Sequence, residues 1–421
     1  MKLRNAIAWL ALLVAAPLFA GAPGTASAQR NGATALPDAF TPVLATPIGA
    51  HPFAFRGTDD RYHVVYEIEL TNTKAATATL QRIEVVDAAA PTHVIAAYAG
   101  KDLVDNLRTL QPAPIEDARI PANASRLFYI ELAFADPAAI PHALMHRLTL
   151  LGAANPGPQT PATPLRYTVA RVPLDRAPLP LIDPPVRGDG WVAVNGCCNS
   201  LIVHRGALQS INGALFNSQR FAIDWMRLNR HGELVHGDPT VARNYADYGA
   251  KVYAVADGTV VETLDDLSDQ VPGTLPDPST ITLHTVDGNH VILDIGNGLY
   301  AFYAHLRKGS VTVHVGQHIK AGTVIGELGN TGNTSGPHLH FQLMDEPSAM
   351  GSQGVPYLIR GFTWVGQVDV QRFNDSDVLT GHWGRPLPRP VIEHARFPMN
   401  MNVVDFEQPA ANDGSPDGGR P

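Results

Sequence analysis

Two histidines stand one residue apart at the end of the turn-rich run GNTGNTSGPHLHFQL, residues 329–343. In an extended strand alternate side chains share a face, so His338 and His340 would point the same way, about 6–7 Å apart. That layout suits a metal ligand beside a catalytic histidine, and it equally suits two surface histidines on an ordinary strand. Two further stretches add candidates. In NSQRFAIDW, Asp224 lies between Ile223 and Trp225, where a charge needs a partner. In YAHL, His305 closes an aromatic strand. Taken singly these are a capped acid, a sheet-edge histidine and a surface pair; their joint occurrence is harder to explain that way.

The elements that must carry these residues are strands. From about Leu36 to Pro180, short alternating apolar runs such as YHVVYEIEL, LQRIEVV, RLFYIEL and HRLTL are separated by turn residues. Period-two alternation of this kind predicts an antiparallel β-sandwich with one face of each sheet buried. No cluster of catalytic residue types falls in this half, which reads as a scaffold or binding module. A boundary lies in APLPLIDPPVRGDG, Ala177 to Gly190, where prolines oppose regular ladders. A second β-rich unit follows, with strands expected at KVYAVA, GTVVET, TITLH, HVILD, LYAFYAHL and around His338. After about Pro390 the pattern fades, and PAANDGSPDGGRP has the composition of a disordered tail. The expected organisation is a β-sandwich accessory domain over 36–180, an antiparallel β-sheet domain over 187–372 and a C-terminal extension over 373–421: an all-β protein.

The successive pieces VYAVADGTVV, GNHVILDIGNGLYAFYAHL and VGQHIKAGTVIGELGNTGNTSGPHLHFQL resemble the core of the lysostaphin-type, LytM-like zinc metallopeptidases, which cut peptide cross-links in bacterial cell walls. The likeness is strong from about Tyr245 to Leu343 and looser back to Trp191; the first half falls outside it. The closing motif, S-x-x-P-H-L-H-F in many members, is one residue shorter here between Ser335 and Pro337. The resemblance implies that His340 and Asp224 are zinc ligands. It implies that His305 and His338 position or deprotonate the attacking water and stabilise the tetrahedral intermediate. Zinc held by two histidines and one aspartate keeps an open position for water.

One position departs from the family. Its first ligand is a histidine four residues before the aspartate, and Arg220 stands there, whose guanidinium cannot ligate a metal. Either the site is incomplete or another histidine has replaced it, and His204 is the best candidate. Asn212-Gly213 is a strong two-residue hairpin signal, and a hairpin centred on it places His204 across from Phe221. Strict alternation then puts His204 and Asp224 on opposite faces, so a one-residue register shift is required. His231 and His236 are the rivals, in a stretch that reads as a groove-rim loop.

Composition bounds the rest. The 31 Lys+Arg against 39 Asp+Glu give a net charge of −8, and no basic stripe marks a nucleic-acid binder. The N-terminus pairs Lys2 and Arg4 with an apolar run and Ala26-Ser27-Ala28, which reads as a signal peptide of residues 1–28, with no cysteine after the run for a lipid anchor. A periplasmic or secreted protein without stable membrane insertion follows. Cys197 and Cys198 are neighbours; a disulfide between them would close a small ring, so two reduced thiols are expected. The functional expectation is an exported zinc endopeptidase with one Zn2+ per chain, acting on peptidoglycan peptides. The alternative is an inactive relative that binds or activates another cell-wall hydrolase. A carrier domain for phosphoryl or biotinyl groups would leave Asp224 and His340 without a role.

Overall fold

The strand Tyr62–Asn72 organises the first half of the chain. It pairs antiparallel with Val43–Ile48 on one side and Ser125–Phe134 on the other. A second antiparallel sheet holds Ala78–Asp87, Val94–Ala99, Ala143–Gly152 and Thr163–Pro173. Val64, Tyr66, Ile68 and Leu70 from the first sheet share one core with Ile83, Val85, Leu148 and Leu150 from the second. Each fully buried side chain of this size contributes roughly 1.5–3 kcal/mol. The chain is described here, as a computed structural model, over residues 39–49, 52–155, 160–200, 202–374 and 381–407. The expected signal peptide and disordered tail lie outside those residues.

Alternation predicts that the odd-numbered residues of Tyr62–Asn72 face water, and the structure differs. His63, Val65 and Glu67 are buried along with Val64, Tyr66 and Ile68. The outer face of this sheet is covered by the second half of the chain, where Val65 and Phe55 join the second core. The described residues from Thr41 onward accordingly form one compact unit.

The second half is built on a twelve-stranded sheet in which Leu358–Val368, Asn402–Phe406, Gly188–Val194, Ile223–Arg227, Leu339–Met344, Leu299–Leu306 and Asn289–Gly296 are successive neighbours. Every pairing in that run is antiparallel. One face is apolar: Ile223, Trp225, Leu339, Phe341, Leu343, Ala301 and Tyr303 all enter the core. Residues alternating with these, among them Asp224 and His340, must face the other way.

Two sequence expectations are corrected. TITLH is not a strand: Pro278–Thr280 is a short 3-10 turn, and Leu283 is left 65% exposed. The cause is local, since the Asp277 carboxylate accepts from the backbone N–H of Ser279 and turns the chain before a ladder can start. Past Pro390, where pattern fades, Asn402–Phe406 instead enters the middle of the sheet beside Gly188–Val194. The preceding strand, Gly384–Arg396, holds Pro386, Pro388 and Pro390 at alternate positions and pairs with a single neighbour. Prolines two apart turn their missing N–H groups to the same side, which an edge strand tolerates.

Candidate metal centre

Sheet register places Asp224 opposite His340. His340 Nδ1 lies 3.0 Å from Asp224 Oδ1. His204 joins them from outside the sheet, its Nε2 3.3 Å from Asp224 Oδ2. Ligand atoms of the three residues all lie within 4.8 Å of one another, and all three residues are buried. Two donors held at ~2.0–2.1 Å by a tetrahedral zinc stand about 3.3 Å apart, so the spacing fits such an ion.

The ring tautomers give the same answer. His204 Nδ1 sits 3.1 Å from the Asn195 carbonyl and 3.0 Å from that of Ala222. Carbonyl oxygens only accept, so Nδ1 carries the hydrogen and Nε2 turns a lone pair toward Asp224. His340 Nε2 is 2.9 Å from Gln342 Oε1, whose amide nitrogen donates to the Ala349 carbonyl. That fixes the amide orientation and leaves the lone pair of His340 on Nδ1. His305 Nδ1 donates to the Thr331 carbonyl at 2.7 Å, and His338 Nδ1 to that of Gly336 at 2.9 Å. Four imidazoles thus hold their hydrogens outward, and three of them, His204, His338 and His340, turn lone pairs toward the Asp224 carboxylate, an arrangement that needs cations among them, as protons or as a metal.

The electrostatics reflect this crowding. Burial pushes the Asp224 carboxyl up, but His204 and His338 outweigh it and hold the acid well below the usual carboxylate range. For His338 and His340 burial opposes protonation, and Asp224 overrides it, raising both. His305 goes the other way: burial, with His338 and His340 adding to it, holds its pKa well below the usual imidazole value. It is therefore neutral near pH 7, with Nε2 free to accept a proton. Its ring centroid is 4.6 Å from that of His338 and 6.0 Å from that of His340. Its backbone φ of +61°, just after the strand residue that pairs with His340, lifts it off the alternation of its strand.

These groups line a cavity of about 600 Å³, which Met226, Tyr245, Leu275, Phe373 and Trp383 give an apolar wall. A larger cavity, about 770 Å³, lies between Thr46–Gly49 and the 208–215 segment, but Glu69 is its one ionisable lining residue. Chemistry belongs in the smaller one.

All five residues expected from the sequence, His204, Asp224, His305, His338 and His340, line this cavity. The hairpin forms in the expected register, Gln209 opposite Phe216 around Asn212-Gly213. It stops there, however, and His204 stands on a 3-10 turn, His204–Gly206, that reaches Asp224 without any register shift. His231 and His236 lie elsewhere: His236 is exposed and pairs with Glu233, and the His231 carbonyl accepts from His382. Arg220 points away from the site and binds Glu67. Cys197 and Cys198 are joined as a disulfide, buried in the core, rather than being free thiols.

Two contributors escaped sequence reading. Asn195, at φ +55°, donates through Nδ2 to Asp224 Oδ2 at 2.8 Å and so holds the carboxylate. The available signal was the Asn195-Gly196 pair, but nothing in sequence ties it to Asp224. Asp247 is wholly buried, neither carboxylate oxygen has a hydrogen-bond partner, and burial pushes its pKa up to about 8.

Residues 243–352 match the family model described as Peptidase family M23. Over that segment the chain is similar to the M23 peptidases, lysostaphin among them. Peptidoglycan DD-endopeptidase ShyA of Vibrio cholerae is 35% identical over 96 residues, covering 23% of this chain and 18% of its own. Glycyl-glycine endopeptidase ALE-1 of Staphylococcus capitis is 30% identical over 118 residues, 28% of this chain and 31% of its own. Lysostaphin of Staphylococcus simulans is 45% identical over 58 residues, 14% of this chain and 11% of its own. The chain thus spans less than a third of each of these relatives. The M23 segment contains His305, His338 and His340, whereas His204 and Asp224 precede it, and sheet register and loop anchoring bring those two to the M23 histidines.

Proposed function

We propose that this chain is an exported zinc endopeptidase that hydrolyses peptide bonds in bacterial cell-wall peptidoglycan, working in the periplasm or outside the cell. Residues 187–372, joined in their sheet by the strand Asn402–Phe406, would be its peptidase domain and 36–180 its accessory domain. The observation that carries the reading is the convergence of lone pairs from His204, His340 and the Asp224 carboxylate inside a cavity. His204 Nε2, His340 Nδ1 and an Asp224 oxygen would hold the zinc. A zinc ion there supplies Lewis acidity, polarising a peptide carbonyl and making water a nucleophile near neutral pH. His305, neutral and held by Thr331, takes a proton at Nε2. His338, anchored by Gly336, reaches the same space with Nε2, and in the protonated form that Asp224 favours it can steady a developing negative charge. The polar side of the cavity would hold the peptide backbone and the Phe373 and Trp383 wall would keep water out. The substrate class comes from the relatives: ShyA is named as a peptidoglycan endopeptidase and ALE-1 as a glycyl-glycine endopeptidase. Among the described residues no helix is long and apolar enough to cross a membrane.

Metal analysis of the purified chain tests this directly. We expect about one zinc per chain, lost in His204→Ala and in Asp224→Ala, together with new amine termini released from peptidoglycan by the wild type. Zinc that persists in His204→Ala would mean a different third ligand. A chain that takes up no zinc on reconstitution would be a binding protein and not a hydrolase.

A further inference from the structure

Asp224 and His340 are fixed by paired strands, whereas His204 stands on a single 3-10 turn outside the sheet. A ligand on such a turn is only as well placed as the contacts that hold the turn. Some are local: the His204 ring meets two carbonyls, and Asn217 Nδ2 donates to the Arg205 carbonyl. The others lead through Arg205, the next residue, whose side chain is 1% exposed. Its Nη1 donates to the Cys198 carbonyl at 2.8 Å, and its Nε stands 3.0 Å from Glu67 Oε1. The guanidinium lies 5.4 Å from the ring centre of Tyr129. Glu67 and Tyr129 belong to the first half of the chain, outside the M23 segment. Just beyond the turn, Leu208 packs with Ile48, Leu127 and Tyr129 on the same outer sheet face.

Glu67 is wholly buried and faces two guanidinium groups. Its Oε2 accepts from Arg220 Nε at 2.8 Å, and Arg220 is the residue standing where the family resemblance led us to expect a ligand. A buried ion cluster of this kind is retained at a desolvation cost, and removing its one acid leaves two buried cations to repel each other. Arg220 has further acceptors in Gln353 and the Ile48 carbonyl. Among the described residues the one hydrogen-bond acceptor left to the Arg205 side chain is the Cys198 carbonyl, with the Tyr129 ring beside it, so Arg205 is the arginine less well held, and it is the next residue after His204.

We propose that Glu67 is a positioning residue for the metal ligand His204, acting through Arg205, so that the first half of the chain completes the metal site of the second. The proposal rests on the zinc reading above. Groups that orient a ligand from outside the coordination sphere typically change metal affinity by about 10–100-fold, and the same range is expected here.

The test measures zinc affinity of the full mature chain by competition with a chromophoric chelator, well below the unfolding temperature. Four chains are compared: wild type, His204→Ala, Glu67→Gln, and Leu148→Ala, which loosens the first-half core without touching Arg205. Folded Glu67→Gln binding zinc at least ~10-fold more weakly, with an altered visible spectrum of the cobalt-substituted form and Leu148→Ala at wild-type affinity, is the expected result. Wild-type affinity in folded Glu67→Gln overturns the proposal, as does an equal loss in Leu148→Ala. If Glu67→Gln does not fold, Glu67→Asp, which keeps the charge but shortens the reach, takes its place under the same two criteria. Wild-type affinity indifferent to His204→Ala ends the zinc reading itself, an outcome separate from failure of the coupling.

Discussion

Gln342 decides which nitrogen His340 offers. With its amide nitrogen committed to the Ala349 carbonyl, its oxygen takes the Nε2–H and Nδ1 is left to Asp224. Gln342→Leu removes that acceptor, frees the ring to change tautomer, and should weaken zinc binding by about 10–100-fold in a chelator competition. His305→Gln should leave zinc content unchanged and lower turnover by ~10²–10⁴-fold, the usual share of a general acid–base group. Asp247 offers a pH test whose sign follows from its raised pKa of about 8. Between the ordinary carboxylate range and pH 8 the unfolded chain has ionised this group while the folded chain keeps it protonated. The folded state then binds the extra proton, so Asp247 lowers stability progressively as pH rises through that window, levelling off above 8. Asp247→Asn should show little difference near pH 4 and a gain on the order of a few kcal/mol by pH 8. Parallel unfolding midpoints at all pH values would contradict it.

At the scale of the elements, the paired strands do what single residues cannot. Register fixes Val194 and His340 on either side of Asp224, and Ala304 on the far side of His340. The opposite face of the same strands is core, so the site is held by the packing of Trp225, Leu339, Phe341 and Leu343. Leu343→Ala, three residue pairs along from His340, should cost about 2–5 kcal/mol of stability while zinc binding to the folded fraction persists; denaturant midpoints and metal content check the two halves of that statement. This level also explains what was legible in the sequence. The H-x-H spacing and the Ile-Asp-Trp alternation are period-two signals, and period two is what a strand imposes, so His338, His340 and Asp224 stood out as candidates, while their roles in one site came from the family resemblance. The Asn-Gly hairpin was legible because its turn is local. The position of His204 was not, because a short turn anchored by carbonyls at residues 195 and 222 carries no periodicity. Nor was the burial of Glu67, since an acid in an alternating strand reads as a solvent-facing residue until a second sheet system covers it.

For the whole molecule, the proposed zinc site at positions 204, 224 and 340 exists only when the sheet and its covering loop are assembled. The unfolded chain has no such cluster, so zinc held there would bind the folded state alone and stabilise it by mass action. Free zinc at 100 times its dissociation constant is worth about 2.7 kcal/mol. Because the chain is large, each kcal/mol shifts its unfolding midpoint by only ~2–4 °C or less. A strong chelator should therefore lower the midpoint of the wild type by several degrees and leave that of His204→Ala where it was. The increment also depends on pH with a definite sign. The ligands must be deprotonated to take the metal, and burying two histidine lone pairs against Asp224 makes protons its direct competitors. Because Asp224 raises the His340 pKa above the ordinary imidazole value of ~6.5, the chelator-sensitive part of the midpoint should begin to shrink already above that pH and vanish as pH falls further. A chelator effect that persists unchanged at pH 5, or one of equal size in His204→Ala, would mean that the metal binds somewhere other than this cavity.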